Sequence, residues 1–128
     1  MKPYLKRAWA EISLNQLRNN VRIIKGLNSP DTEIMAVVKA DAYGHGDEHI
    51  CKCLAEECGI KYFAVSNLDE AIAVRGFCPD AEILILGYTP PEYAHEISQY
   101  NIIQGVVSTE YACKLVKNTP DSIRCHIK

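Results

Sequence analysis

The sequence predicts an α/β fold on a parallel sheet, and three observations carry that reading. Short apolar runs rich in β-branched residues, such as Ile34-Met35-Ala36-Val37-Val38 and Ile83-Leu84-Ile85-Leu86, alternate with segments of helical periodicity. The runs are continuous rather than alternating, the pattern of strands covered on both faces, and helices between such strands force parallel crossovers. Helix start signals recur between the runs at Ser13, Ser66-Asn67, Thr89 and Ser108.

The elements come in a regular order. Residues 9–13 read as a short strand. Ser13-Leu14-Asn15-Gln16 has capping-box form and opens a helix whose apolar face is Leu14, Leu17, Val21 and Ile24, with Gly26 as its stop. The strand ending at Lys39 comes next, then a helix from about Asp47 with Ile50, Leu54 and Cys58 on one side and Gly59 as its stop. Residues 62–65 form a strand, and Ser66-Asn67-Leu68-Asp69 caps a helix carrying Ala71, Ile72 and Val74. Residues 83–86 form a strand closed by Gly87, and Thr89-Pro90-Pro91-Glu92 caps a helix to about Tyr100, with proline tolerated in the first turn. Residues 101–107 read as a strand, Ser108 begins a helix with Ala112, Leu115 and Val116, and residues 123–128 start one more strand.

Pattern alone leaves two architectures open, a doubly wound sheet and a (β/α)8 barrel. A barrel needs eight strand–helix units and about 250 residues. The roughly five units here would be a little over half of one, so a chain whose end falls in a strand is expected to be incomplete. In either case the functional face lies at the carboxyl ends of the strands, where Lys39, Ser66, Gly87 and Ser108 collect. No linker, repeat or charge block marks a second domain.

Composition narrows the function classes. Of 128 residues, 48% are hydrophobic and 23% charged, ordinary for a soluble globular protein. Fourteen Lys and Arg against sixteen Asp and Glu give a formal charge of -2, with no basic run to track a phosphate backbone, so nucleic acid is not expected as a partner. Residues 1–7 lack the apolar core of a signal peptide, and no apolar run nears the roughly 20 residues a membrane helix needs. A cytoplasmic segment without membrane contact is expected. Six cysteines include no CxxC pair. A metal site can be drawn from His45, His49, Cys51 and Cys53, but without paired ligand spacing free thiols in a reducing compartment fit better, and no metal is expected.

The chemistry centres on Lys39. An ammonium at the end of a buried strand loses hydration unless a partner or a chemical task awaits it. The plain alternative is a strand-end lysine that snorkels to solvent. The neighbouring residues decide between the two: Val37-Val38-Lys39-Ala40-Asp41-Ala42-Tyr43-Gly44-His45-Gly46 resembles the pyridoxal phosphate attachment segment of the alanine racemase family. The resemblance runs along the whole chain, through Ala8-Trp9-Ala10-Glu11-Ile12, Leu68-Asp69-Glu70-Ala71, Ile83-Leu84-Ile85-Leu86-Gly87 and Cys125-His126-Ile127-Lys128.

That resemblance implies the N-terminal part of a (β/α)8 barrel over residues 12–128, with residues 1–11 a strand that joins a second, mostly β domain. It implies a pyridoxal 5'-phosphate-dependent racemase interconverting L- and D-alanine, the source of D-alanine for cell-wall peptidoglycan. Lys39 would be the Schiff-base lysine and one of two catalytic bases. Tyr43 would hydrogen-bond the cofactor phosphate, and Val37 and Leu86 would wall its ring. The second base is, in the family, a tyrosine from the second domain of the partner subunit in a homodimer, so Tyr43 is not that base. It and the pyridine-nitrogen partner would lie beyond Lys128. Lys128 matches a lysine carbamylated in many members, which suits a buried lysine with no acid nearby. By contrast, Gly44-His45-Gly46 before a helix reads as a tight turn rather than a phosphate cradle, because Asp47 and Glu48 occupy the helix start.

The same resemblance covers the serine or serine/alanine racemases of glycopeptide-resistant bacteria, whose catalytic domain is cytoplasmic on a membrane-tethered chain. Non-catalytic pyridoxal phosphate carrier proteins share the barrel and the lysine but not the Ala-Asp-Ala-Tyr-Gly-His-Gly tail. That tail also gives no support to a barrel aldolase.

Overall fold

Five strands pair in parallel in the order in which they occur, β1 (Met35–Val37), β2 (Tyr62–Val65), β3 (Glu82–Ile85), β4 (Ile103–Val106) and β5 (Arg124–Ile127). The computed structural model describes residues 8–119 and 122–128. Sequential order decides between the two architectures left open by the pattern. A doubly wound sheet reverses its strand order at a switch point, whereas a barrel adds each strand beside the last. The chain is therefore five strands of a (β/α)8 barrel.

Register sorts the side chains into two faces, because paired residues of parallel strands point the same way and successive residues alternate. Phe63, Val65, Ile83, Ile85 and Val106 face the helices and join Ala71, Val74, Ile97, Tyr111 and Leu115 in one core. The opposite, barrel-inner face carries the row Val37, Ala64, Leu84, Ile103 and Arg124. Two residues further on stand Ser66, Leu86 and His126, with Gly105 between the last two. Low on this face Arg124 reaches across β4 to Glu82, at 2.6 Å.

The helices are α1 (Leu14–Leu27), α2 (Lys39–Gly44), α3 (Asp47–Lys52), α4 (Leu68–Phe77), α5 (Ala94–Gln99) and α6 (Thr109–Lys117). Ser13 and Ser108 cap α1 and α6 as expected, and within the Ser66–Asp69 segment it is Asn67 that caps α4, each accepting from an amide three residues on. On α4, Arg75 lies with its guanidinium against four carbonyls, those of Tyr100, Pro79, Ala81 and Asn101, at 2.7–3.0 Å. It ties the amino-terminal ends of β3 and β4 together.

Several expectations are corrected. Residues 9–13 form no strand and are exposed, and residues 1–7 lie outside the described residues. Gly26 does not end α1, which runs to Leu27, where Asn28 Nδ2 donates to Ile24 O at 2.7 Å. α3 continues through a π-helical turn at Cys53–Glu57 before Gly59, whose φ of 64° suits the stop. Thr89 caps nothing: a 3-10 turn at Pro91–Tyr93 leads into α5, and the buried Thr89 Oγ1 has no hydrogen-bond partner. Its backbone is held instead by Tyr111, whose hydroxyl donates to Thr89 O at 2.6 Å and accepts from Thr89 N at 3.1 Å. Nor is β1 covered on both faces, since Met35 and Val37 are 40% and 42% exposed.

Candidate active site

Lys39 does not end a strand. β1 stops at Val37, buried Val38 makes the last sheet-like hydrogen bond to Ala64 O at 2.9 Å, and Lys39 opens α2. Ala40, Asp41, Ala42 and Tyr43 then adopt φ of 51°, 56°, 50° and 57°, a full left-handed turn of non-glycine residues. Left-handed helical backbone costs an L-residue roughly 1–2 kcal/mol, so the surroundings must hold four such residues in place. Strain of this kind concentrates at functional sites.

The holding groups are on hand. Ala42 N donates to Val38 O at 3.0 Å and Gly46 N to Asp41 O at 3.1 Å, while the buried Ala42 methyl anchors the turn in the core. Asp41 Oδ1 accepts from Asp47 N at 2.8 Å, so an internal carboxylate occupies the start of α3 and the phosphate reading of Gly44-His45-Gly46 is closed off. His45 Nδ1 sits 2.8 Å from Ala42 O, a contact that requires the proton on Nδ1. At the start of the turn Ala40 N donates to Glu70 Oε1 at 2.9 Å, and Glu70 Oε2 accepts from Ser66 N and Ser66 Oγ at 2.8 and 2.7 Å. Burial alone would raise the Glu70 pKa. The amides of Ser66 and Ala40, the Ser66 hydroxyl and the charge of Lys39 outweigh it and hold the carboxyl below its ordinary value.

Lys39 is half-buried, not sunk in a dry strand, so the burial argument for its reactivity does not apply within this chain. Its Nζ lies over the Tyr43 ring, 5.9 Å from the centroid, and Tyr43 is 58% exposed. Val37 and the half-buried Leu86 stand on the inner face in successive rows. Lys128 ends β5 with its N–H on Val106 O at 3.0 Å and Nζ donating to Leu86 O at 3.5 Å. It is exposed, so the burial on which its expected carbamylation rests is not present here. The structure thus brings Lys39 to Tyr43 and Lys128 to Leu86, all at the carboxyl ends of the strands.

Sequence reading overlooked Glu70 and Asp41. A signal existed for the first: Asn67 with Glu70 three residues on is a capping box, and Glu70 reaches one residue further back, to Ser66. For Asp41 none did, because its partner depends on the left-handed winding. Among the described residues no group of three or more His, Cys, Asp and Glu could hold a metal ion, and no helix is long and apolar enough to cross a membrane.

A strained lysine-bearing turn at the carboxyl end of a parallel barrel defines a barrel protein with an amine at its functional face. Residues 12–128 match the model of the alanine racemase N-terminal domain, and the chain belongs to that family. It is 43% identical over 122 residues to an amino-acid racemase of Enterococcus faecalis, covering 95% of this chain and 17% of that protein. It is 40% identical over 123 residues to the serine/alanine racemase of Enterococcus gallinarum, covering 96% and 17%. The crystal structure of alanine racemase from Bacillus anthracis with bound L-Ala-P superposes with a TM-score of 0.85 at 34% identity, covering 98% of this chain and 32% of that one. The chain thus spans a sixth to a third of the length of these relatives.

Proposed function

We propose that this chain supplies the lysine-bearing part of a pyridoxal 5'-phosphate-dependent amino acid racemase that interconverts L- and D-alanine in the cytoplasm, for cell-wall peptidoglycan. The observation that carries the reading is Lys39 on its strained left-handed turn, beside the phenol of Tyr43 and on the functional side of the barrel. The residues present fit the cofactor: a reachable primary amine for its aldehyde, a phenol for its phosphate, and the apolar inner wall of Val37 and Leu86 for its ring. When bound, the cofactor supplies an electron sink for the substrate α-carbon.

The chain's own residues then have distinct tasks. Lys39 Nζ moves a proton to or from the α-carbon on one face. Tyr43 would donate to the cofactor phosphate, and Val37 and Leu86 would wall its ring. Inversion needs a second base on the other face, which we assign to the partner subunit of a homodimer. Residues 1–11 are assigned to a strand that forms only against a second domain, since residues 8–11 form none here. Carbamylation of Lys128 is proposed from the residue match alone, and electron density for a plain amine in the complete barrel would refute it.

The test uses the complete protein. Incubated with pyridoxal phosphate and L-alanine it should form D-alanine, borohydride should fix the cofactor on Lys39, and Lys39→Ala should lower turnover by at least about 1,000-fold. Racemisation with cofactor fixed elsewhere refutes the role of Lys39, and no racemisation of any amino acid refutes the enzyme reading in favour of a carrier. The similarity to a serine/alanine racemase supports serine as a second substrate, read in the same assay as D-serine.

A further inference from the structure

We propose that Glu70 is a positioning residue for Lys39, a carboxylate clamp that fixes the start of the left-handed turn to the end of β2. The inference rests on the cofactor-lysine reading. Glu70 lies on the first turn of α4, and its two oxygens divide their work. Oε1 accepts from Ala40 N, the amide directly after Lys39, while Oε2 accepts from both the amide and the hydroxyl of Ser66. β1 and β2 are neighbours, so one side chain bridges the ends of two adjacent strands at the functional face.

All three groups that meet Glu70 are donors, which only an ionised carboxylate can satisfy in full. Ala40 is exposed and left-handed, with φ of 51°, so its amide has no helical carbonyl to turn to. Releasing that amide would let the turn unwind toward the right-handed form that L-residues prefer, and the Lys39 side chain would swing with it. Glu70 makes no hydrogen bond to the Lys39 amine, although the two charges stand near enough to act on each other. Its hydrogen bonds go to the Ala40 amide and to Ser66, so its contribution is one of placement.

Glutamine at position 70 makes the idea testable without breaking the fold. Its amide group must face one set of donors. Ser66 presents two hydrogen bonds against one from Ala40, so the glutamine oxygen stays with Ser66 and the NH2 opposes Ala40 N–H. Glu70→Gln should free the turn and spare the β2–α4 junction. Asp69→Asn removes the same charge from the exposed neighbour and is the control.

Hydrogen exchange read by mass spectrometry on the complete protein, without cofactor, should quicken about tenfold over residues 38–47 in Glu70→Gln alone. No change there, or equal quickening over residues 62–65 and 82–85, overturns the proposal. With cofactor, kcat should fall about 10- to 100-fold while KM stays within about twofold; a raised KM at constant kcat also overturns it. If borohydride fixes no cofactor on Lys39 in the parent protein, the cofactor reading falls and the proposal with it. An unchanged exchange profile in Glu70→Gln, when the parent does fix cofactor, refutes the clamp alone.

Discussion

A methyl group added at Gly87 would stand 2.4 Å from Ser66 O, and one at Gly105 would stand 2.7 Å from Ile85 O. Both obstacles are backbone, so neither can swing aside. These glycines are required by strand approach rather than by turning, since neither has a positive φ. Gly87→Ala should destabilise the protein by about 1–3 kcal/mol, seen as a lower denaturant midpoint at unchanged slope. An unchanged midpoint would mean that β3 is free to move away from Ser66. Burial fixes other side chains as firmly: the Cys51 thiol is fully covered, and desolvation, with Cys78 and Asp47 nearby, pushes its pKa up to about 12.

At the scale of elements the left-handed α2 inverts ordinary substitution logic. In a right-handed helix, glycine in place of alanine costs about 1 kcal/mol. Ala40 is exposed at φ 51°, where glycine is free of the Cβ penalty. Ala40→Gly should therefore raise the thermal midpoint, by up to about 1 kcal/mol of stability after the extra freedom of the unfolded chain is counted. A loss of stability would show that the turn is not left-handed in solution. Elsewhere the elements follow local signals, with polar caps at Ser13, Asn67 and Ser108 and a conformational stop at Gly59. Thr89 fails as a cap because Tyr111, distant in sequence, takes both polar groups of its backbone.

The whole molecule is an arc with two open edges. Among the described residues β1 has no strand beyond it and β5 none after it, and Met35, Val37 and Ile127 on these two edge strands are 40%, 42% and 88% exposed. Residues of this kind at unpaired sheet edges invite association. Expressed alone, residues 1–128 should bind a hydrophobic dye and elute above the monomer mass, whereas the complete barrel should do neither. A well-behaved monomer with no dye binding would show that the arc closes its own edges.

Much of this was legible from local chemistry. Apolar run length, helix capping and the crossover requirement placed the five sheet strands and the helices between them to within a few residues, though not α2, and predicted a strand at 9–13 that does not form. The Val37 to Gly46 segment identified the family through its order of side chains. The sequence by itself determined that an amine and a phenol stand four residues apart, at Lys39 and Tyr43, because side-chain identity and chain spacing are covalent facts. Only the tertiary structure decided the rest. Sequential strand order selected the barrel over the doubly wound sheet, since hydrogen-bond partners of a strand are not written in its own residues. The handedness of residues 40–43 was invisible for the same reason: Ala, Asp and Tyr favour the right-handed form alone and take the left-handed one here where Glu70, Val38 and Asp41 bind the backbone that way.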